Sequence, residues 1–396
     1  MKRLRWIGLG VLLVAVALVV NEFRPVGAVP ATQAIASTSE GGAESAVPWP
    51  GAGQAAFGGQ DNGVLAATSN ARPQPIASVA KVMTALVVLE QKPLKQGEQG
   101  PAITVSAEDV TEFQREKEGG ESVVPVQAGE QLTEYQALQG LLIPSGNNIA
   151  AMLARWASGS VEAHVQRMNE RAKALGLRQT TFADVSGLNE KTASTPADLV
   201  RLGQAALKES VVADIVEQAQ VTLPVAGTAY NVNYALGSDG IFGIKTGNIT
   251  AGGAIYLFAG AVQLAAGRKA TIVGAVQGLS TLDAAFNAAR ALLRAAAASL
   301  RVVHVVSRDQ TVGRYQLPWG GSTDVVAKED LDILAWPGTV VRKTLAAAPV
   351  TPPTSPRTIV GNLRVTAADA VYNVDTVTVD QLYGPGRLAR LTRVTW

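Results

Sequence analysis

Cysteine is absent from this chain of 396 residues. That excludes disulfide staples, thiolate catalysis and cysteine-ligated zinc, though it identifies no compartment. Histidine is nearly as scarce. His164 and His304 lie in stretches of different pattern, and neither belongs to an H-E-x-x-H or related spacing, so a zinc hydrolase has no ligand set. His164 reads as a packing or surface residue of a helix and His304 as a strand residue. Charge of one sign is lacking too. A formal net charge of +2 gives no footprint for nucleic acid. The six tryptophans are scattered, which suits packing and docking rather than a sugar-stacking stripe. No internal repeat occurs. Apolar residues are plentiful at 47%, enough for a large core in one to three domains.

The first 24 residues form a separate segment. Lys2, Arg3 and Arg5 precede an uncharged run from Trp6 to Val20, the pattern of an export signal or anchor. The run is shorter than the roughly 20 residues of a usual spanning helix. No small-x-small cleavage site follows closely, since Asn21-Glu22-Phe23-Arg24 comes next and Ala34-Ile35-Ala36 lies far from the run. This favours an uncleaved anchor in the cytoplasmic membrane, with cleavage as the alternative. The basic residues before it would keep the N-terminus inside and everything after it outside. Residues 25–48 are rich in Ala, Gly, Ser, Pro and Thr and read as a linker that does not fold. Trp49, between two prolines, marks where the linker meets the globular body.

From residue 49 the pattern is helical first and extended later. Asp61-Asn62-Gly63 centres a hairpin over 55–68. Helices are predicted over 76–91, 107–118, 133–143, 146–157 and 161–175, the last capped by Gly176, and another opens at Thr195-Pro196. Apolar, β-branched runs at 241–246, 254–263 and 270–277 predict three antiparallel strands, and 282–300 an Ala-rich helix. This is an α+β layout with a sheet between helices. After Leu300 short strands are predicted at 302–306, 312–317, 331–334, 339–345 and 376–379. They make 301–396 a separate small all-β domain, with 349–356 as a proline-extended loop.

Three short elements carry chemistry. In Ser78-Val79-Ala80-Lys81, serine and lysine at i and i+3 share one helix face. A serine hydroxyl becomes a nucleophile when a base takes its proton. Lys81 can be that base if burial and a second ammonium, Lys245, depress its pKa. Ser145-Gly146-Asn147 follows Pro144 at a loop-to-helix junction. Lys245-Thr246-Gly247 ends an apolar strand, where a strand edge can align a peptide and offer an N–H to an oxyanion. Singly, each has an ordinary explanation: a helix start with a solvated lysine, an N-cap, a turn glycine after a strand-end lysine. In this order and context the three support one another.

The trio, S-x-x-K with S-x-N and K-T-G, is shared by penicillin-binding proteins and class A β-lactamases. Pro75 to Ala85, Leu141 to Ala150, Met168 to Leu177, Ser186-Gly187-Leu188 and Gly243 to Gly247 resemble the D-alanyl-D-alanine carboxypeptidases, the low-molecular-mass penicillin-binding proteins. The resemblance covers about residues 49–300. It implies a transpeptidase/β-lactamase-like fold, an antiparallel sheet with helices on both faces plus a helical subdomain. It also implies a penicillin-sensitive serine peptidase that needs no cofactor. Ser78 would attack the carbonyl between the two terminal D-alanines of a peptidoglycan stem peptide. Lys81 would act as general base and Ser145 as proton relay. Asn147 would hold the substrate and Lys81. Lys245 and Thr246 would bind the terminal carboxylate, and Gly247 would let the substrate approach the backbone. The N–H groups of Ser78 and Asn248 would form the oxyanion hole. Expected partners are the stem peptide, β-lactams and the membrane.

Departures from the family pattern are small: Gly146, Asn148 where many relatives have Asp, and Asn248 after the K-T-G. Leu388 to Trp396 is not a clear amphipathic helix, so an N-terminal anchor would replace a C-terminal one. A class A β-lactamase would need a Glu-based water activator after the second element, and 179–188 has Asp184 but no Glu-x-x-x-Asn. A non-catalytic peptidoglycan-binding protein would have no chemical need for Ser78, Lys81 and Lys245 together.

Overall fold

The computed structural model describes residues 2–40, 46–264 and 267–392, in two compact units. One comprises 43–301 with 334–337, the other 1–42, 302–333 and 338–396.

The larger unit has a five-stranded antiparallel sheet at its centre. Its spatial order is Ile241–Ile249, Gly253–Gln263, Lys269–Leu279, Gln54–Gly59, Val64–Ala67. The first of these is an edge strand, so one row of its backbone groups is unpaired within the sheet. Alternation sends neighbouring side chains to opposite faces. Leu257 and Val273 face the helix Pro196–Lys208, where Gly203 permits contact so close that a Cβ would lie 2.7 Å from Val273 and 2.9 Å from Leu257. Tyr256 faces the other helix, Leu282–Ser299, and meets Phe286 edge to face at 5.0 Å. The sheet therefore has a helix on each face, as expected. Half-buried Trp49 packs on Phe57 at 6.2 Å, and Trp336 meets the same ring at 5.3 Å.

Helix ends follow local chemistry. Ser106 and Asp109 form a reciprocal capping box for Ala107–Glu118, and Thr133 and Gln136 do the same for Glu134–Leu142. Thr195 caps Pro196–Lys208, with proline in the first turn. Asn147–Ser158 and Val161–Ala174 complete the helical subdomain. His164 is fully buried there, held by Thr84 O and Ser158 Oγ, and burial pushes its pKa down to about 4. It is a neutral packing residue. The helix Ser210–Val216 and the hairpin Gln220–Leu223/Gly227–Tyr230 have no counterpart in the sequence prediction.

The smaller unit holds a seven-stranded sheet, in which Ser322–Ala327 and Ile359–Ala367 add to the predicted strands. His304 lies on Arg301–Val306, exposed, against Asp332 and Ser307. The linker reading of 25–48 needs correction over part of its length. Ala31–Gln33 pairs with Thr311–Gln316, and Thr38–Glu40 pairs with Val340–Ala347, as the two edges of this sheet. Edge strands are held by backbone bonds and need few apolar side chains. Here the Gln33 amide adds bonds to Lys343 O at 3.2 Å and Leu345 N at 2.9 Å. Residues 41–45 of that stretch lie outside the described residues.

Among the described residues one helix is long and apolar enough to cross a membrane. It spans Lys2–Phe23, with mean hydropathy 2.1 over Trp6–Phe23 and no burial in that window. At the chain end Arg387–Thr392 is a short helix, and 393–396 lie outside the described residues.

Candidate active site

Ile76 starts a 3₁₀ turn, Ala77–Val79, that runs directly into the helix Ala80–Gln91. Ser78 sits in the tight turn and Lys81 in the first turn of the helix, so both project from one face. Lys81 Nζ lies 2.8 Å from Ser78 Oγ. It also reaches Asn147 Oδ1 at 2.5 Å, Ser186 O at 3.3 Å and Ser145 Oγ at 3.4 Å. Lys81 is fully buried, while Ser145 and Asn147 are 3% and 2% exposed. Residues remote in sequence thus converge on one amine.

The contacts suit a neutral amine. Such a group has two N–H donors and one lone pair. The carbonyl oxygens of Asn147 and Ser186 can take the two donors, which turns the lone pair to the Ser78 hydroxyl. Burial lowers the Lys81 pKa to about 7, against the charges of Asp184, Glu116 and Glu121, which raise it. Of the two causes expected, burial is the main one, and the Lys245 ammonium is not among the others. Lys245 itself is 1% exposed and held well below its ordinary value, first by burial and then by the charge of Lys81. Its ammonium has one acceptor among the described residues, Thr246 O at 3.2 Å. A buried cation so thinly matched gains strongly from a carboxylate.

The backbone is strained on both sides of the serine–lysine pair. Ala77 has φ +46° and Ser145 φ +68°, left-handed values that cost of order 1–3 kcal/mol each outside glycine. A close neighbour holds Ala77. Gly187, at φ +85°, packs so tightly that a Cβ would lie 1.8 Å from Ala77 O. Gly187→Ala is therefore expected to lower stability by about 2 kcal/mol or more and to slow acylation of Ser78, as read by thermal melts and penicillin labelling.

The edge strand Ile241–Ile249 lies along the same turn. A Cβ on Gly247 would fall 3.0 Å from Ile76 O and 3.2 Å from Ser78 N. The room left by this glycine, expected for the substrate, is taken up by the backbone before the serine. Thr246 is buried and Asn248 exposed.

Two further groups had no role assigned from sequence. Ser186 O is a direct partner of Lys81, and Asp184 braces its loop by accepting from Ser186 Oγ at 3.0 Å, Leu188 N at 2.8 Å and Thr192 Oγ1 at 2.5 Å. The Ser186-Gly187-Leu188 triplet was the available signal.

The sequence model of the peptidase S11 family, D-alanyl-D-alanine carboxypeptidase, matches residues 55–276. D-alanyl-D-alanine carboxypeptidase DacF of Bacillus subtilis is 37% identical over 123 residues, covering 31% of this chain and 30% of that protein. D-alanyl-D-alanine carboxypeptidase DacC of Escherichia coli is 28% identical over 257 residues, 63% of this chain and 62% of that protein. The chain thus spans less than two thirds of the length of these curated relatives. Penicillin binding protein 5 of Haemophilus influenzae shares the fold at TM-score 0.68 and 18% identity, over 86% of this chain and 100% of the other.

Proposed function

Since this chain belongs to the D-alanyl-D-alanine carboxypeptidase family, we propose that it is a serine D,D-carboxypeptidase that removes the terminal D-alanine from peptidoglycan stem peptides. One observation carries the reading: the Ser78 hydroxyl lies 2.8 Å from a buried amine whose pKa is brought to about 7. Ser78 Oγ attacks the carbonyl between the two D-alanines as Lys81 takes its proton. Ser145 relays the proton to the departing amine. Asn147 orients Lys81 and holds the substrate amide. The N–H groups of Ser78 and Asn248 receive the oxyanion. D-alanine leaves as the free amino acid, and water then hydrolyses the ester to release the shortened stem peptide and free Ser78. Residues 43–301 with 334–337 form the catalytic domain, and 302–333 and 338–396, with the edge strands Ala31–Gln33 and Thr38–Glu40, a non-catalytic β-domain. The N-terminal helix anchors the chain in the cytoplasmic membrane with the catalytic domain outside.

β-Lactams mimic the acyl donor. The loop over 179–188 has no Glu-based water activator, so the penicilloyl ester should persist. The test is intact-protein mass after penicillin, followed by D-alanine release from a diacyl-Lys-D-Ala-D-Ala peptide. A persistent adduct with D-alanine release supports the reading. Rapid penicillin turnover without D-alanine release refutes it.

Lys245 and Thr246 receive the terminal carboxylate. In Lys245→Ala, kcat/KM for the free-acid peptide should fall by roughly 10²-fold, as for loss of a buried charge-assisted contact, and the C-terminally amidated peptide should change far less. Equal losses on both peptides would exclude a carboxylate-binding role.

A further inference from the structure

Two glutamines with no part in the proposed chemistry stand behind the nucleophile. Gln277 is fully buried and Gln54 is 7% exposed. They form a cross-strand pair on neighbouring strands of the five-stranded sheet, Lys269–Leu279 and Gln54–Gly59. Two buried amides in an apolar sheet are costly unless their donors and acceptors are matched. What they match is a stretch of chain that cannot satisfy itself. Arg72-Pro73-Gln74-Pro75 leads to Ser78, and its prolines carry no N–H to give to a strand ladder. Within it only Gln74–Pro75 is paired, as a two-residue ribbon with Ala193–Ser194.

The glutamine side chains complete it. Gln54 Oε1 accepts from Arg72 N at 3.0 Å, while its Nε2 donates to Arg72 O at 2.7 Å and to Gln277 Oε1 at 3.1 Å. Gln277 Nε2 is thereby turned to three carbonyls: Gln74 O at 3.0 Å, Ser194 O at 3.2 Å and Pro75 O at 3.4 Å. Its two N–H groups are shared among them. The backbone held in this way is next to the reaction. Pro75 precedes Ser78 by three residues, and between them Ile76 N donates to Thr192 O at 3.0 Å. Thr192 Oγ1 donates to Asp184, which braces Ser186, whose carbonyl holds Lys81. Ala77 follows at φ +46°, a value its surroundings must impose. The Ser78 N–H, one half of the proposed oxyanion hole, lies against the edge strand, where a Cβ on Gly247 would fall 3.2 Å from Ser78 N. Asn248, the other half, is on that strand, and a single strand separates it from the strand of Gln277.

We propose that Gln277, supported by Gln54, is a positioning residue for the oxyanion hole: it ties the arm that carries Ser78 to the sheet that carries Asn248, and so sets the gap between their N–H groups. This rests on the reading of Ser78 as nucleophile. A donor stabilises the developing oxyanion when it ends about 2.7–3.1 Å from that oxygen. A small slip of the arm therefore weakens the tetrahedral state. Lys245 and Thr246 lie on the strand itself and keep their hold on the carboxylate. Loss of Gln277 should thus separate transition-state binding from substrate binding.

The test uses the full chain with Gln277→Met, which keeps the length of the side chain and removes both donors. The rate constants for penicillin acylation and D-alanine release should fall roughly tenfold or more, as when an oxyanion donor is misplaced. A peptide boronic acid, whose boron bonds Ser78 Oγ and sets an oxygen in the hole, should bind weaker by a similar factor. Affinity for the free-acid peptide, measured in a Ser78→Ala background to prevent turnover, should stay within about twofold. The pH midpoint of acylation should not move, because Lys81 keeps its partners. A merely structural role would lower the melting temperature and the reactive fraction but leave these rate constants alone. Should Gln277→Met melt below the assay temperature, Gln54→Met removes the outer link and should give a smaller loss in the same two quantities. Unchanged acylation and boronate affinity in a folded variant overturn the proposal. So does equal weakening of boronate and free acid, or a displaced pH midpoint, which would put the damage at Lys81. Absence of any penicillin adduct on the wild type would instead indict the Ser78 reading beneath it.

Discussion

Ser78→Ala should abolish covalent capture of fluorescent penicillin and reduce D-alanine release by at least about 10⁴-fold, since an activated serine has no substitute once its oxygen is gone. The fold should survive. Ser78 is only partly buried and gives no side-chain cap to the helix that follows, so the loss of one hydroxyl leaves a small gap. The removed oxygen is one of four partners of Lys81, and Asn147 Oδ1 and Ser186 O remain for its donors. Binding without reaction should persist, because Lys245 and Thr246 are untouched. The discriminating measurement is intact mass beside a non-covalent affinity for the free-acid peptide. An alanine variant that acquires the penicillin mass as fast as wild type would show that another residue is the nucleophile.

Much of this site was legible before any coordinates, for a physical reason. The serine–lysine pair needs helical spacing, the Ser145 turn needs a break before a helix, and the third element needs an apolar strand, although that strand runs on through Ile249 instead of ending at Lys245 as expected. Each requirement writes itself into nearby residues. Helix bounds were readable where caps are strong, as at Ser106 and Thr195. What stayed hidden depends on chain segments meeting in space. Ser186 contributes a carbonyl, which every residue has, so only its position beside Lys81 makes it special. Gly247 reads as an open approach for a ligand, yet the backbone around Ser78 fills that room. The strands Ala31–Gln33 and Thr38–Glu40 have too few apolar residues to announce themselves, and they exist because a sheet edge is offered to them. The dominance of burial over Lys245 in lowering the Lys81 pKa also needs the packed surroundings to be seen.

The fold serves the chemistry through rigidity at few points. Ala77 and Ser145 both sit at left-handed φ, and Ala77 is held there by packing against Gly187 that a larger neighbour would break. The arrangement keeps Ser78, Lys81 and Ser145 within hydrogen-bond reach before any substrate arrives. Pre-organisation of this kind spares the reaction the cost of ordering its own catalysts.

Lys81→Met tests the base directly. Methionine has nearly the same length and suits a fully buried site, so the helix should stay packed. Two carbonyls then lose a donor, at about 1–3 kcal/mol for each that water cannot reach, and the variant should melt lower but still cooperatively. Acylation should fall by roughly 10²–10⁴-fold, the usual contribution of a positioned base. The pH dependence separates this from mere damage. The active form of Lys81 is the neutral amine, and its pKa is about 7, so wild-type acylation should rise with pH and reach half its plateau near pH 7. Glu116, whose buried carboxyl is pushed up to about 7 and which senses the Lys81 charge, titrates with it, so the midpoint belongs to the coupled pair. In Lys81→Met the slow residual rate should lose that rise, although Glu116, Glu121 and Asp184 remain. If stopped-flow acylation of the variant keeps the wild-type midpoint and slope, the titrating base is another group and Lys81 serves only to hold Asn147 and Ser78 in place.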